Sequence, residues 1–381
     1  MNIGIDIRVL ARGTRTGVEE YTINLLDELL SLPACRRGRD SKINYKLFYN
    51  AYKKAKLNYS WLFLDNVNLK SFRIPNRLFF INARYFNQPK IDKLLGKVDI
   101  YFNPHFFTAP LSIGCKKVIT FHDLSFERYP YFFSWRKRVW QKFLVDARKE
   151  AEKADRIIAV SQSTKDDLIK IYGIEPKKIK VIYSGVGKQF RPFAQGLSLI
   201  SKKYNLPNKF ILYFGTIEPR KNIIGLIKAF ELLRRKQSIK LVIAGTKGWL
   251  YKDILKTAKE SKYSRDIIFT GFVEDKDKPY LYNLAELFVY PSFFEGFGFP
   301  PLEAMACGRP TIVSVNSSLP EVVGQGALMI DPYNIDELTW AMEIILTDKE
   351  LKEQLIKKGL DQAKKFSWSE CAKQTLKVLI K

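Results

Sequence analysis

Two glutamates with seven residues between them stand in the run Ser292-Phe-Phe-Glu295-Gly-Phe-Gly-Phe-Pro-Pro-Leu-Glu303-Ala-Met-Ala-Cys-Gly308. An apolar run ending near Tyr290 reads as a strand. Pro300 and Pro301 fall where a helix should begin, because proline's missing N–H costs nothing in a first turn. Gly296 and Gly298 let the backbone come close to a ligand with its amides pointing at it. The helix N-terminus beyond adds partial positive charge, so the loop suits a diphosphate. Glu295 would project from the loop and Glu303 from the first helical turns, where a carboxylate can also simply complement the helix dipole. A second constellation is Phe214-Gly-Thr-Ile-Glu-Pro-Arg220-Lys221-Asn222. Adjacent cations in a loop are often only solvated, but these stand at a strand's carboxyl end just before a helix, where a phosphate is expected. The only two histidines, His105 and His122, each follow a predicted strand. Histidine is commonly a satisfied polar core residue, yet both sit where a loop would face a ligand. Asp123 either orients His122 or caps the next turn.

The elements that must position these residues alternate β-branched runs with helical patterns, which predicts an α/β protein. Asn2–Ile7 reads as a strand, followed by a glycine-containing loop and a helix with Tyr21, Leu25, Leu26, Leu29 and Leu30 at helical spacing. Further strands are predicted at Lys46–Tyr49, Ile100–Phe102, Lys117–Phe121, Arg156–Val160 and Lys180–Ile182, and helices at Trp135–Lys153 and Ser163–Tyr172. A second series starts at Phe210–Phe214 with a helix at Asn222–Lys236, then strands at Lys240–Ala244, Ile267–Thr270, Leu287–Tyr290 and Thr311–Val313. Gly185–Pro207, with two prolines and three glycines, reads as the interdomain linker. The expectation is two doubly wound domains, 1–190 and 191–365, facing a cleft, with 366–381 a helix returning to the first. Ligands of such sheets sit beyond the strands' carboxyl ends.

The run E-G-F-G-F-P-P-L-E-A-M-A-C-G resembles the signature of retaining glycosyltransferases of family 4 (group 1), which have the GT-B fold. Gly308-Arg-Pro-Thr-Ile-Val and Leu319-Pro-Glu-Val-Val-Gly324 match as well, and the resemblance runs from Gly17-Val-Glu-Glu-Tyr21 to Phe366-Ser-Trp368. It implies a nucleotide-sugar donor held mainly by the second domain. Glu295 would contact hydroxyls of the donor sugar and Glu303 the nucleotide ribose. The amides of Gly296, Phe297, Gly298 and Phe299 would lie near the sugar and phosphates. Arg220 and Lys221 would stabilise the charge left on the β-phosphate, with no metal required. Many members carry an arginine directly after the strand glycine; here it is Thr216, which leaves the division of labour between Arg220 and Lys221 open. His122 would contact the donor sugar near its 6-hydroxyl or support the leaving group. The loop Gly13–Gly17 would approach the donor phosphates from the first domain, and Phe272 and Val273, just after a predicted strand, are placed to flank the base through backbone contacts. The Gly-Thr-Ile-Glu-Pro-Arg-Lys-Asn and His-Asp-Leu-Ser-Phe-Glu runs look most like mannosyltransferases that build bacterial surface polysaccharides. GDP-mannose is the leading donor, a UDP-sugar or dTDP-rhamnose the alternative, and the acceptor a glycan or lipid-linked hydroxyl.

Composition bounds these readings. The chain has 381 residues, 46% hydrophobic and 27% charged, which excludes wholesale disorder. Four dispersed cysteines (Cys35, Cys115, Cys307, Cys371) form no CxxC pair, so neither a zinc site nor a disulfide framework is expected, and a reducing cytosol fits. No signal peptide is recognised, and no apolar run of about 18 residues exists. Net charge is +25; residues 1–190 carry 35 basic and 18 acidic side chains, the remainder 29 and 21. The basic first half suits an anionic partner or merely a lysine-rich soluble surface. Nucleic-acid binding is not expected, because no recognition motif is present and the glutamate signature would go unexplained. A sugar-nucleotide isomerase or phosphorylase on the same fold is the other alternative. Asp275-Lys-Asp277 reads as a charged loop, not a metal-binding pair. In Tyr129–Phe143 aromatics and cations interleave, either on a helix whose aromatic face packs inward or on a surface meeting anionic lipid headgroups at the inner membrane face.

Overall fold

Short runs of Ile, Val, Leu, Phe and Tyr form parallel strands because a parallel sheet covered by helices buries both of its faces. The structure, a computed structural model, describes residues 1–12, 16–32, 43–52, 57–140 and 145–381. These form two compact units: Met1–Glu127, Trp135–Gly185 and Trp368–Lys381 make the first, Arg128–Ser134 and Val186–Ser367 the second.

The first unit holds seven strands: β1 (Asn2–Asp6), β2 (Asn44–Asn50), β3 (Val67–Phe72), β4 (Ile100–Asn103), β5 (Lys116–Phe121), β6 (Arg156–Ala159) and β7 (Ile179–Val181). Their order is β3-β2-β1-β4-β5-β6-β7, with every neighbour parallel. The chain runs outward from β1 to β3, then returns to β1's other side at β4, so the order reverses between β1 and β4. The C-terminal helix Trp368–Ile380 packs into this unit. Tyr21 meets the Trp368 ring at 6.0 Å, the Arg156 guanidinium donates to the Val378 carbonyl at 2.9 Å, and Leu376 and Leu379 are buried.

The second unit holds six strands: β8 (Phe210–Phe214), β9 (Lys240–Ala244), β10 (Ile267–Gly271), β11 (Leu287–Tyr290), β12 (Thr311–Ser314) and β13 (Leu328–Ile330). They are ordered β10-β9-β8-β11-β12-β13, again all parallel. Here the reversal falls between β8 and β11. Both sheets are doubly wound, as the alternation of strand and helix implied.

Four local expectations are corrected. β3 was not anticipated, since its sequence Val-Asn-Leu-Lys-Ser-Phe lies largely exposed at a sheet edge and carries no continuous apolar run. β13, three residues long at the other edge, escaped for the same reason. The single helix expected over Trp135–Lys153 is instead Trp135–Trp140 and Ala147–Glu152. The second piece starts afresh at Asp146, whose backbone is left-handed (φ 43°) and whose carboxylate accepts from the Lys149 amide; residues 141–144 lie outside the described residues. Most of the segment read as a linker is integral to the second unit. Helix Leu197–Lys203 lies within it, Phe190 packs edge-on to Tyr282 at 5.9 Å, and the Phe193 amide donates to Asn283.

Removing the Trp368 side chain tests the docking of the C-terminal helix. Trp368→Ala should cost about 3–5 kcal/mol, the usual range for a buried Trp cut to Ala, and urea denaturation followed by circular dichroism should show the loss. A midpoint unchanged from the parent would show that the helix contributes nothing.

Candidate active site

At the β8/β11 reversal two loops leave adjacent strands in the same direction, and this is where open sheets hold ligands. β8 ends at Phe214, and after Glu218 a single 3-10 turn, Pro219–Lys221, leads through Asn222 (φ 53°) into helix Ile223–Arg234. That tight turn presents Arg220 and Lys221. β11 ends at Tyr290, and the loop after it is pinned by three serines that follow or close β12. Ser314 donates to the Ser292 carbonyl at 2.6 Å, Ser317 accepts from the Glu295 amide at 2.8 Å, and Ser318 donates to the Glu295 and Phe297 carbonyls at 3.0 and 2.9 Å. The two loops also tie to each other, for the Phe293 amide donates to the Arg220 carbonyl at 2.9 Å and the Arg220 guanidinium donates to the Phe294 carbonyl.

Glu295 is thereby set between the two cations. Its Oε1 accepts from Lys221 Nζ at 2.6 Å, and its Oε2 lies 3.1 Å from the Arg220 guanidinium. Lys221 also donates to the Tyr290 hydroxyl at 2.6 Å, and Arg220 donates twice to Glu218 Oε1. Lys221 is 7% exposed and Glu295 6%. Burial pushes the Glu295 carboxyl up, but Arg220 and Lys221 outweigh it and hold it at about 2. An ionised carboxylate accepts hydrogen bonds and donates none. The sequence placed Arg220, Lys221 and Glu295 near one another; that the carboxylate neutralises the cations emerges only from the structure.

The glycine loop closes at Gly298, whose φ of 105° strains any residue with a Cβ, and helix Phe299–Ala306 begins at the next residue. Pro300 and Pro301 occupy its first turn and bring no N–H. An anion here would therefore meet the amides of Gly296 to Phe299 more than those of the helix's first turn. Glu303 is buried, and its Oε2 accepts from the Tyr282 hydroxyl at 2.8 Å. Thr216 is half-buried, and its carbonyl accepts from the Tyr213 hydroxyl. Phe272 is 66% exposed while Val273 is buried. Asp275 pairs with Lys278, and Asp277 accepts from Lys203 and Tyr204 at 2.7 and 2.8 Å at the C-terminal end of helix Leu197–Lys203.

One feature escaped the sequence reading. Gly215 and Gly245 directly follow β8 and β9 and Gly271 closes β10, and the three strand ends bond in a row: Gly215 N to Ala244 O at 2.9 Å, Gly245 N to Gly271 O at 3.0 Å. A Cβ on Gly245 would lie 2.0 Å from the Gly215 carbonyl oxygen, so only glycine fits. Thr216 and Phe272 follow the first and last of these glycines, and the Tyr213 hydroxyl lies against Gly215. The signal was present as a glycine at the end of each of three consecutive strands.

In the first unit, His122 Nε2 lies 2.7 Å from the Pro104 carbonyl, so that nitrogen carries a proton and donates. Burial drives the ring's pKa down to about 4, against the pull of that carbonyl and of Asp123. His122 is therefore neutral at pH 7 and unsuited to support a phosphate as a cation. Asp123 accepts from the Ser125 amide and hydroxyl, so it caps the following turn. His105 packs between Phe106 and Phe107 at 4.2 and 4.6 Å. Gly17 opens helix Gly17–Leu29 behind a Thr16–Glu19 capping box; Gly13 to Arg15, the rest of the loop assigned to the donor phosphates, lie outside the described residues. At the β1/β4 reversal the buried Arg8, which the sequence reading passed over, forks onto Asp6 and donates to the Thr108 carbonyl.

In the aromatic–basic segment Phe132 stacks on Phe293 and the buried Phe133 on Trp249, all within the second unit, whereas Tyr131 and Trp135 are exposed. Among the described residues no helix is long and apolar enough to cross a membrane.

Two doubly wound parallel sheets, the second with cations and a carboxylate at its reversal point, are the architecture of a GT-B glycosyltransferase. Residues 199–362 match the family described as Glycosyl transferases group 1, and residues 15–189 match Glycosyltransferase Family 4. The chain is 36% identical over 282 residues to the O-antigen chain mannosyltransferase B of Escherichia coli, spanning 73% of each. It is 39% identical over 275 residues to the serotype-specific mannosyltransferase WbdA of Escherichia coli, covering 68% of this chain but only 33% of that longer relative. Among solved structures, a sucrose-phosphate synthase from Thermosynechococcus elongatus superposes with a TM-score of 0.78 at 19% identity, over 99% of this chain and 98% of the other; at that identity the likeness carries the fold. The chain belongs to the group 1 glycosyltransferases of family 4.

The ion cluster predicts a pH signature. Glu295→Ala leaves Arg220 and Lys221 buried together, and breaking a buried pair costs about 3–5 kcal/mol. The Glu295 carboxyl has its pKa lowered from 4.5 to about 2, so its stabilisation is complete above pH 4.5 and fades as pH falls through about 2. Urea midpoints of parent and variant should differ widely at pH 7 and converge towards pH 2; a gap that persists at the acid end would mean the carboxylate is not the cause.

Proposed function

We propose that this protein transfers mannose from GDP-mannose to a hydroxyl of a growing surface glycan, free or lipid-linked, with retention of anomeric configuration. The observation that carries the site assignment is Glu295 held ionised between Arg220 and Lys221 at the β8/β11 reversal. The choice of mannose rests on the two relatives, each a mannosyltransferase by name.

In this reading the diphosphate lies against the amides of Gly296 to Phe299, with Arg220 and Lys221 turned to the β-phosphate. Phe272 flanks the base and the row of glycines beside Thr216 leaves it room. Glu303 serves the ribose through the carboxylate that also holds Tyr282. Glu295, acceptor only, receives hydrogen bonds from hydroxyls of the sugar. His122, neutral with Nε2–H committed to Pro104, has an acceptor nitrogen left, which suits a sugar hydroxyl and not the departing phosphate. The bond from the anomeric carbon to the β-phosphate oxygen breaks, and the acceptor hydroxyl bonds to the same face of that carbon. The acceptor's proton passes to the departing phosphate, and GDP leaves. Fixed cations stabilise the developing charge without reorganising at the moment of reaction. Anionic headgroups near a lipid-linked acceptor would meet the basic surface of the first unit.

Two measurements test this. A ligand that binds only the folded chain stabilises it by about 2.7 kcal/mol at a hundred times its Kd, so GDP-mannose should raise the melting temperature more than UDP-sugars or dTDP-rhamnose do. A larger shift with one of the others would move the assignment to that donor. Lys221→Ala should lower kcat by about 10²–10³, the usual loss for one transition-state donor; transfer within a few fold of the parent would remove the cation pair from the mechanism.

A further inference from the structure

Arg128–Ser134 lies in sequence between β5 and β6 of the first sheet, yet it packs as part of the second unit. Its rings continue those of the loop that carries Glu295. Phe132 stacks on Phe293 at 5.4 Å with planes 14° apart, and Phe293 lies against Tyr333 at 4.9 Å. Tyr129 meets Phe294 at 5.5 Å, and Tyr131 leans on Phe132 at 4.6 Å. The stack is anchored from below by Trp249, whose indole N–H donates to the Phe132 carbonyl. The phenylalanines are the inner members of this row and the tyrosines its outer ones: Phe294 is buried, whereas Tyr131 is 62% and Tyr333 64% exposed. The Tyr333 phenol is raised above its ordinary value by partial burial and by the nearby Tyr129 and Tyr131, so the three phenols gather at one place.

Single exposed aromatics are ordinary. Two tyrosines held on either flank of a fixed ring stack, two residues along the chain from a site carboxylate, are a surface prepared for something. A flat ring edged by a hydroxyl matches a pyranose, which offers a face of C–H groups and a rim of hydroxyls. Stacking removes the C–H face from water while both sets of hydroxyls keep hydrogen-bond partners. A lipid surface calls instead for projecting Phe, Trp or Leu, and here Phe294 is buried while Phe132 and Phe293 are partly buried and stacked on each other.

We propose that Tyr131 and Tyr333 form a docking rim for pyranose rings of the acceptor glycan, continuous with the Glu295 loop, so that the protein grips acceptor units beyond the one that receives the sugar. This rests on the reading of the chain as a transferase acting on a glycan, and it adds which side chains select an elongated acceptor.

Direct binding tests it without turnover. Isothermal titration with a linear mannose tetrasaccharide and with mannose alone should show the tetrasaccharide binding more tightly to the parent. Tyr131→Ala and Tyr333→Ala should each weaken the tetrasaccharide by roughly tenfold, as loss of an aromatic anchor does, and mannose far less. Tyr→Phe at either position should restore most of the affinity, since the ring does the stacking. Equal affinities of parent and both alanine variants, no preference of the parent for the tetrasaccharide, or equal losses for both sugars would overturn the inference. So would intact sugar binding in variants that no longer sediment with anionic phosphatidylglycerol vesicles, which would make the rim a lipid contact. The GDP-mannose thermal shift, measured on the same variants, reports separately on the donor. Its absence in the parent alongside tetrasaccharide binding would strike the donor assignment alone.

Discussion

Glu295 sits between Arg220 and Lys221, and much of the second unit serves to keep it there. Two cations adjacent in sequence repel when buried, and a carboxylate removed from water resists ionisation. Each of these costs is offset only if all three groups stay within hydrogen-bond reach. Replacing such a cluster with apolar side chains would generally stabilise a fold as well or better, so its presence at a strand reversal points to function. The 3-10 turn after β8, the serines around β12 and the hydrogen bonds linking the two loops all act on the positions of these three side chains.

That arrangement also sets the charge states available for chemistry. Environment drives Glu295 and His122 away from their ordinary values to opposite effect: the carboxylate stays ionised and the imidazole stays neutral. Neither is a convenient proton carrier near pH 7. This fits a reaction in which protein groups orient and stabilise while the leaving phosphate takes the proton. Of the two cations Arg220 keeps its charge at any pH where the fold persists, whereas burial and the neighbouring Arg220 lower the pKa of Lys221 and Glu295 opposes that shift.

How far the sequence could be read followed the burial of each element. Strands buried on both faces, such as Phe210–Phe214, Lys240–Ala244 and Leu287–Tyr290, were legible to the residue, because an apolar run admits few other fates. The edge strands β3 and β13 were not, since an edge strand half in water needs no apolar run to hold it. Trp135–Lys153 has helical composition throughout, yet Asp146 starts a new helix there; the left-handed backbone that does so is a tertiary outcome no propensity signals. In the site, the residues were legible and their pairings were not. Arg220, Lys221 and Glu295 were expected together, whereas the bond of Glu303 to Tyr282, the commitment of Asp277 to Lys203 and the stacking of Phe132 on Phe293 depend on elements far apart in the chain.

By itself the amino-acid order determined the fold class, the glycine-interrupted glutamate loop and the cations at the end of β8, because each follows from local chemistry over a few residues. Only the tertiary structure decided which groups are charged, since a pKa depends on burial and on neighbours that strand order supplies. Strand order also decided that β8 and β11 lie side by side. Sequence separation of more than seventy residues says nothing of that, and the adjacency is what turns two separate loops into one site.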